Sequence, residues 1–192
     1  MLNAIGLANV GLEAFLDEKV PLLEKLNVPV FVNVAGTTVE DYLTVARALE
    51  EVKAVRGVEL NISCPNVKRG GMAIGADPEE TYELVWRVRM VTNLPLIVKL
   101  TPNVTDITET AAAAVDAGAD VLSLINTFIG MAIDIETRLP VLGTGTGGLS
   151  GPAILDASLA WLPGEEIAID LLPRENLLEI AARARQGGDG RR

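Results

Sequence analysis

Four short apolar runs recur along the chain, and each ends on a polar residue. They are Pro29 to Val34, Gly57 to Ile62, Pro95 to Leu100 and Asp120 to Ile125, with Asn33, Asn61, Lys99 and Asn126 at or just past their ends. Between them lie segments with helix signals. Thr37-Thr38-Val39-Glu40 reads as a capping box with Thr37 as N-cap and Glu40 at N3, and the helix runs to about Val52. Asp77-Pro78-Glu79-Glu80 opens a second helix, to about Val91, with Asp77 as cap, proline at its first position and acids near the positive end of its dipole. A third runs from about Asp106 to Ala117, and Gly118 stops it. Short apolar strands alternating with helices form parallel βαβ units.

Such folds carry their chemistry at the C-terminal ends of the strands. Lys99 lies inside Ile97-Val98-Lys99-Leu100, and a buried charge is costly, so it requires an anionic partner. Cys64, the only cysteine, follows Val58 to Ile62 where Pro65, Asn66, Gly70 and Gly71 turn a strand into a loop. A free cysteine is often a small buried hydrophobe. A loop between Ser63 and Pro65 equally suits a functional thiol, and the residues alone leave both readings open.

The chain has no histidine, which removes Ser-His and Cys-His pairs and histidine-based zinc sites. With one cysteine there is no internal disulfide and no cysteine-rich metal site, so no metal is expected and a reducing cytoplasm fits. Acid–base work falls to Cys64, lysine, tyrosine or a carboxylate. At a net charge of −10 a nucleic acid would be repelled. No run is long enough to span a membrane, and the start does not resemble a signal peptide.

Other stretches are less informative. Met1 to Gly11 is loop-like with nothing before it to pack on, and Glu13 to Leu26 is helical in spacing but interrupted at Pro21. Phe128 to Leu142 reads as irregular or briefly extended. The glycine run from Gly143 to Pro152 suits either a phosphate cradle or a linker. Beyond residue 155 the character changes. Trp161 to Gly164 reads as a turn, Ile167 to Leu172 as a short strand, Arg174 to Arg185 as an amphipathic helix and the last residues as disordered.

The motifs Asn3-Ala4-Ile5-Gly6-Leu7, Asn33-Val34-Ala35-Gly36, Asn61-Ile62-Ser63-Cys64-Pro65-Asn66, Val98-Lys99-Leu100-Thr101-Pro102-Asn103-Val104, Ile125-Asn126-Thr127 and Gly147-Gly148-Leu149-Ser150-Gly151-Pro152 occur in this order. Residues 1 to about 154 thereby resemble the dihydroorotate dehydrogenase catalytic subunits, and Val67 to Gly71 with Gly75 to Pro78 resembles the class 1B, NAD-linked type. Class 2 enzymes resemble it less, having serine at the position of Cys64.

The resemblance implies a (β/α)₈ TIM barrel with FMN at its C-terminal mouth, oxidising dihydroorotate to orotate in pyrimidine (UMP) biosynthesis. It implies Cys64 as the base, Asn33, Asn61, Lys99, Ile125 and Gly151 around the FMN, and Asn3, Ala4, Ile5, Gly6, Leu7, Asn61, Asn126 and Thr127 around the substrate. It further implies a homo-oligomer, and a partner subunit with FAD and an iron–sulfur centre that passes electrons to NAD. By the same resemblance, residues 1–154 form a partial barrel, about strands three to six of eight, and residues 155–192 a divergent tail. A typical barrel takes about 250 residues, so this chain alone is expected to bind FMN poorly. An inactive fragment and a flavoenzyme for another pyrimidine are the alternatives.

Overall fold

The structure is a computed structural model describing residues 1–26, 28–63 and 72–154. The chain begins with β1 (Leu2–Asn3), α1 (Leu12–Ala14), a π-helical turn (Phe15–Lys19) and α2 (Val20–Leu23). The interruption expected at Pro21 is absent, and helical turns run through it. A proline ring presses on the carbonyl four residues back in an α-helix, and here the wider π turn comes just before it.

Next come β2 (Val30–Val34), α3 (Val39–Glu50) and β3 (Val55–Asn61). After residues 64–71 follow α4 (Met72–Gly75), α5 (Pro78–Arg89), β4 (Leu96–Lys99), α6 (Ile107–Asp116) and β5 (Val121–Ser123). The four strands anticipated from the sequence form one parallel sheet in the order β2-β3-β4-β5.

Period-2 alternation divides this sheet into two faces. Val58, Leu60, Leu96, Val98 and Leu122 on one face are fully buried. They pack with Tyr42, Leu43, Ala46 and Leu49 of α3, Leu84, Val85 and Val88 of α5, and Ile107, Ala111 and Ala114 of α6 in one core. The register pairs Phe31 with Gly57, Asn33 with Glu59, Asn61 with Lys99 and Lys99 with Ser123, so these residues share the opposite face. That face is open enough to leave Phe31 51% exposed.

The helix starts follow their caps, with one correction. The box on α3 uses Thr38 as N-cap and Asp41 as N3, one residue later than Thr37 and Glu40. Aspartate is shorter than glutamate, yet Asp41 Oδ2 accepts from the backbone N–H of both Thr37 and Thr38, at 2.8 Å each, and from Thr37 Oγ1 at 2.9 Å. Two free threonine N–H groups facing one carboxylate select that register. Asp77 caps α5 and Asp106 caps α6, both as expected.

The N–H of Thr37, then that of Thr38, holds the Asp41 carboxyl below its usual range. A depressed carboxyl stabilises the fold above its unfolded pKa, and this contribution is lost as pH falls through the folded value. Thr38→Ala should therefore cost about 1 kcal/mol at neutral pH. Asp41→Asn should narrow the gap in melting temperature between neutral pH and pH about 3 relative to the parent. Melts of both variants at the two pH values check this, and an unchanged gap in Asp41→Asn would count against it.

Beyond β5 the chain forms a second, antiparallel sheet of β1, β7 (Gly147–Leu149) and β6 (Phe128–Gly130), with β7 in the middle. The arm between β6 and β7 is extended, with Ile133 bridging Pro140 and a turn at Asp134. Two expectations change here. Part of the glycine run is a central strand, not a linker or phosphate cradle, and the N-terminal segment has a partner. Leu2 faces Leu149, Asn3 faces Gly148, and Ser150 N donates to Met1 O at 2.8 Å. A short 3₁₀ turn (Pro152–Ile154) ends the described chain. The turn, strand, helix and disordered end read from residues 161–192, and the residue 155 tail boundary, lie outside the described residues.

Candidate active site

The open face of the parallel sheet carries polar side chains toward the C-terminal ends of its strands. Asn33 Nδ2 donates to Glu59 Oε2, and Asn61 Nδ2 donates to Asn33 Oδ1 at 3.3 Å. Asn61 is 6% exposed, and its Oδ1 accepts from Ser63 Oγ and Asn126 Nδ2, both at 3.3 Å. Asn126 Nδ2 also donates to Ser63 Oγ at 2.9 Å. Below Asn61, the Tyr42 hydroxyl donates to its backbone carbonyl at 2.9 Å, which ties α3 to the strand end. One continuous amide network thus links the ends of β2 and β3 with the segment after β5.

Lys99 lies beside that network. Its ammonium donates to Ser123 Oγ at 3.2 Å and sits 3.9 Å from Glu59 Oε1. The lysine and glutamate side chains are 24% and 21% exposed. Glu59 is therefore the anionic partner that the charge inside β4 demanded. It stands two residues before Asn61 and so shares its face, and the register of β3 with β4 brings it to Lys99.

The second sheet meets the network at Thr127. Thr127 N donates to Asn126 Oδ1 at 2.8 Å. A Cβ on Gly148 would stand 2.4 Å from Thr127 Oγ1, and one on Gly147 would stand 2.4 Å from Asn3 O. Only glycines let β7 press between Asn3 and Thr127. Asn103, absent from the sequence-derived site, holds the same region. Its Nδ2 donates to Thr101 Oγ1 and to the Thr127 carbonyl, each at 3.0 Å, and its Oδ1 accepts from Ile129 N at 2.8 Å.

The remaining expected residues are placed less centrally. Ala4 and Ile5 are exposed, and Gly6 has φ +81°. Leu7 and Asn33 line the same cavity, about 240 Å³, with Phe15 and Val45. Ile125 is half-buried and packs against the core. Gly151, with φ +86°, lies beside the Met1 amino terminus. Cys64 lies outside the described residues; it follows directly on buried Ser63. No described helix is long and apolar enough to cross a membrane.

The family model described as dihydroorotate dehydrogenase matches residues 1–164. The chain belongs to the dihydroorotate dehydrogenase family. Members of this family are flavin-dependent oxidoreductases built on TIM barrels, and the parallel sheet here is a partial barrel of that kind.

The chain is 53% identical to the dihydroorotate dehydrogenase B (NAD(+)) catalytic subunit of Geotalea uraniireducens over 174 residues, which is 90% of this chain and 57% of that protein. It is 54% identical to the subunit of the same name from Geobacillus kaustophilus over 154 residues, 80% of this chain and 49% of that protein. The chain thus spans little more than half the length of the curated relatives it matches. The likeness to the family runs past the expected limit near residue 154.

Proposed function

We propose that this chain supplies the FMN- and dihydroorotate-facing part of a class 1B dihydroorotate dehydrogenase. The observation that carries this reading is the gathering of Asn33, Asn61, Lys99 and Asn126 at one end of one sheet face, beside the chain position of Cys64.

The donor set fits a flavin. Carboxamides both donate and accept, as the amide-like pyrimidine edge of an isoalloxazine requires. A half-buried ammonium opposes the negative charge that gathers there on reduction. FMN, when bound, supplies a two-electron acceptor for the hydride leaving C6 of dihydroorotate. Asn33, Asn61 and Lys99 would hold it, with Ile125 and Gly151 along its edge. Much of the glycine run's backbone is engaged elsewhere: Gly147, Gly148 and Leu149 lie in the central strand, Gly145 N donates to Leu142 O and Ser150 N to Met1 O. This strand therefore serves the substrate side.

Asn3 to Leu7, Asn61, Asn126 and Thr127 would orient the planar substrate. Cys64, as thiolate, takes the proton from C5 as the C6 hydride departs, and a C5–C6 double bond remains. A thiolate base needs no histidine when its loop lowers its pKa. A lone reactive thiol also suits the cytoplasm. The relatives' names, catalytic subunits of an NAD(+) enzyme, support a separate electron-transfer subunit; by the family resemblance that partner would carry FAD and an iron–sulfur centre, in an assembly holding more than one copy of this chain.

The test is a fluorescence titration of the full native protein with FMN, followed by turnover of dihydroorotate against dihydrouracil. Submicromolar FMN binding with selective orotate formation is expected. Selective use of dihydrouracil would transfer the assignment to another pyrimidine, and absence of FMN binding would overturn it. In the same assay Lys99→Ala should weaken FMN binding by about tenfold to a hundredfold, the equivalent of one charge-assisted hydrogen bond. Unchanged affinity and potential would make Lys99 a structural ion-pair partner only.

A further inference from the structure

Glu59 stands at the centre of the residues proposed to hold the flavin. One of its oxygens accepts from Asn33 Nδ2, and the other lies 3.9 Å from the Lys99 ammonium. Its register neighbours are Asn33 on β2 and Ile97 on β4, two residues before Lys99. The hydrogen bond to Asn33 also orients that carboxamide. With its nitrogen turned to Glu59, its oxygen faces Asn61 Nδ2. A hydrophobic residue at position 59 would still build the strand. The carboxylate therefore calls for an account beyond the sheet itself.

Charge provides that account. The side chains of Lys99 and Glu59 are both largely withdrawn from water, so their fields are weakly screened. Lys99 alone would present a full positive charge to whatever binds beside it. With Glu59 at 3.9 Å, the pair presents a dipole whose positive end is anchored by Ser123 Oγ.

We infer that Glu59 is a positioning residue that tempers Lys99: it fixes the ammonium and the Asn33 amide, and its negative charge lowers the preference of the site for reduced over oxidised flavin. The inference rests on the flavin reading above. It fixes a sign. Losing Lys99 should lower the flavin potential, whereas losing the Glu59 charge should raise it, although both residues belong to one pair.

Glu59→Gln is close to isosteric and keeps an acceptor for Asn33, so it removes charge with little change in packing. In the full native protein, FMN affinity is read by fluorescence quenching and the midpoint potential by equilibration with an indicator dye. Glu59→Gln should favour the reduced flavin about tenfold, a rise of about 30 mV for a two-electron couple. Glu59→Asp, which keeps the charge, should stay close to the parent potential. Glu59→Ala should in addition weaken FMN binding, because Asn33 loses its acceptor. A potential unchanged or lowered in Glu59→Gln, in a protein that still binds FMN, overturns the role of Glu59 alone. Failure of the parent protein to bind FMN overturns the flavin reading and this inference together.

Discussion

Cys64→Ala is expected to reduce dihydroorotate turnover by about 10²–10⁴-fold, the usual cost of losing a positioned base, while FMN and orotate still bind. The expectation follows from what is available at the strand ends. The chain has no histidine. The described polar side chains nearest the chain position of Cys64 are Ser63, Asn61 and Asn126, and they are bonded to one another. Carboxamides do not serve as bases at neutral pH, and the Ser63 hydroxyl has no base beside it among these contacts. The Glu59 carboxylate is engaged by Asn33 and Lys99. The family resemblance implies the thiol as the group that takes the proton, and on that reading its removal leaves binding contacts without their base. Cys64→Ser should retain a small part of the rate, rising with pH, since a hydroxyl occupies the place with a far weaker tendency to ionise. Steady-state turnover and orotate titration of both variants check the assignment. Near-parental turnover of Cys64→Ala at neutral pH would refute it.

Gly75→Ala is expected to damage both stability and turnover, although Gly75 belongs to none of the binding motifs. A Cβ there would stand 2.1 Å from the Ile62 carbonyl oxygen and 3.0 Å from its carbon. Neither side can yield easily. Ile62 is fully buried just past the end of β3. The α4 turn is tied to α5, since Thr81 Oγ1 donates to Ile74 O at 2.9 Å and Asp77 N donates to the same oxygen at 3.2 Å. Overpacking of this kind costs about 1–3 kcal/mol, which is about 2–12 °C in melting temperature for a domain of this size. The contact also joins the two ends of the segment holding Cys64, because the described chain stops at Ser63 and resumes at Met72. Moving those ends apart by about 1 Å is enough to lower turnover by about 10²-fold. A thermal melt with FMN bound, together with turnover, measures both effects. Parental values of each would show that Ile62 and α4 separate without consequence.

The alternation of strands and helices was legible because each element carries its own local signature. Val58, Leu60, Leu96, Val98 and Leu122 mark a buried face, and Asp77 and Asp106 mark helix starts. The polar strand ends were legible for a related reason. A lysine in an apolar run is unfavourable without a partner, so Lys99 announced a site before any contact was known. Its partner was not announced. Glu59 becomes that partner because parallel register sets Asn61 opposite Lys99 and Asn33 opposite Glu59, and register is a property of two strands together. The cap of α3 moved by one residue for a similar reason, since Thr37 and Thr38 are equivalent in pattern and the Asp41 carboxylate chose between them.

The second sheet was the least legible part of the chain. Gly147 and Gly148 have no side chain to show a period, and Leu2–Asn3 is too short to show one. Their pairing joins Met1 to Ser150, 149 positions apart. Closing so long a span yields no local trace in the sequence. By itself the sequence determined the βα order, the buried face and the residue types at the strand ends. Only the tertiary structure decided that Glu59 faces Lys99, and that two glycines bring Asn3 against Thr127, because both depend on which backbones lie side by side.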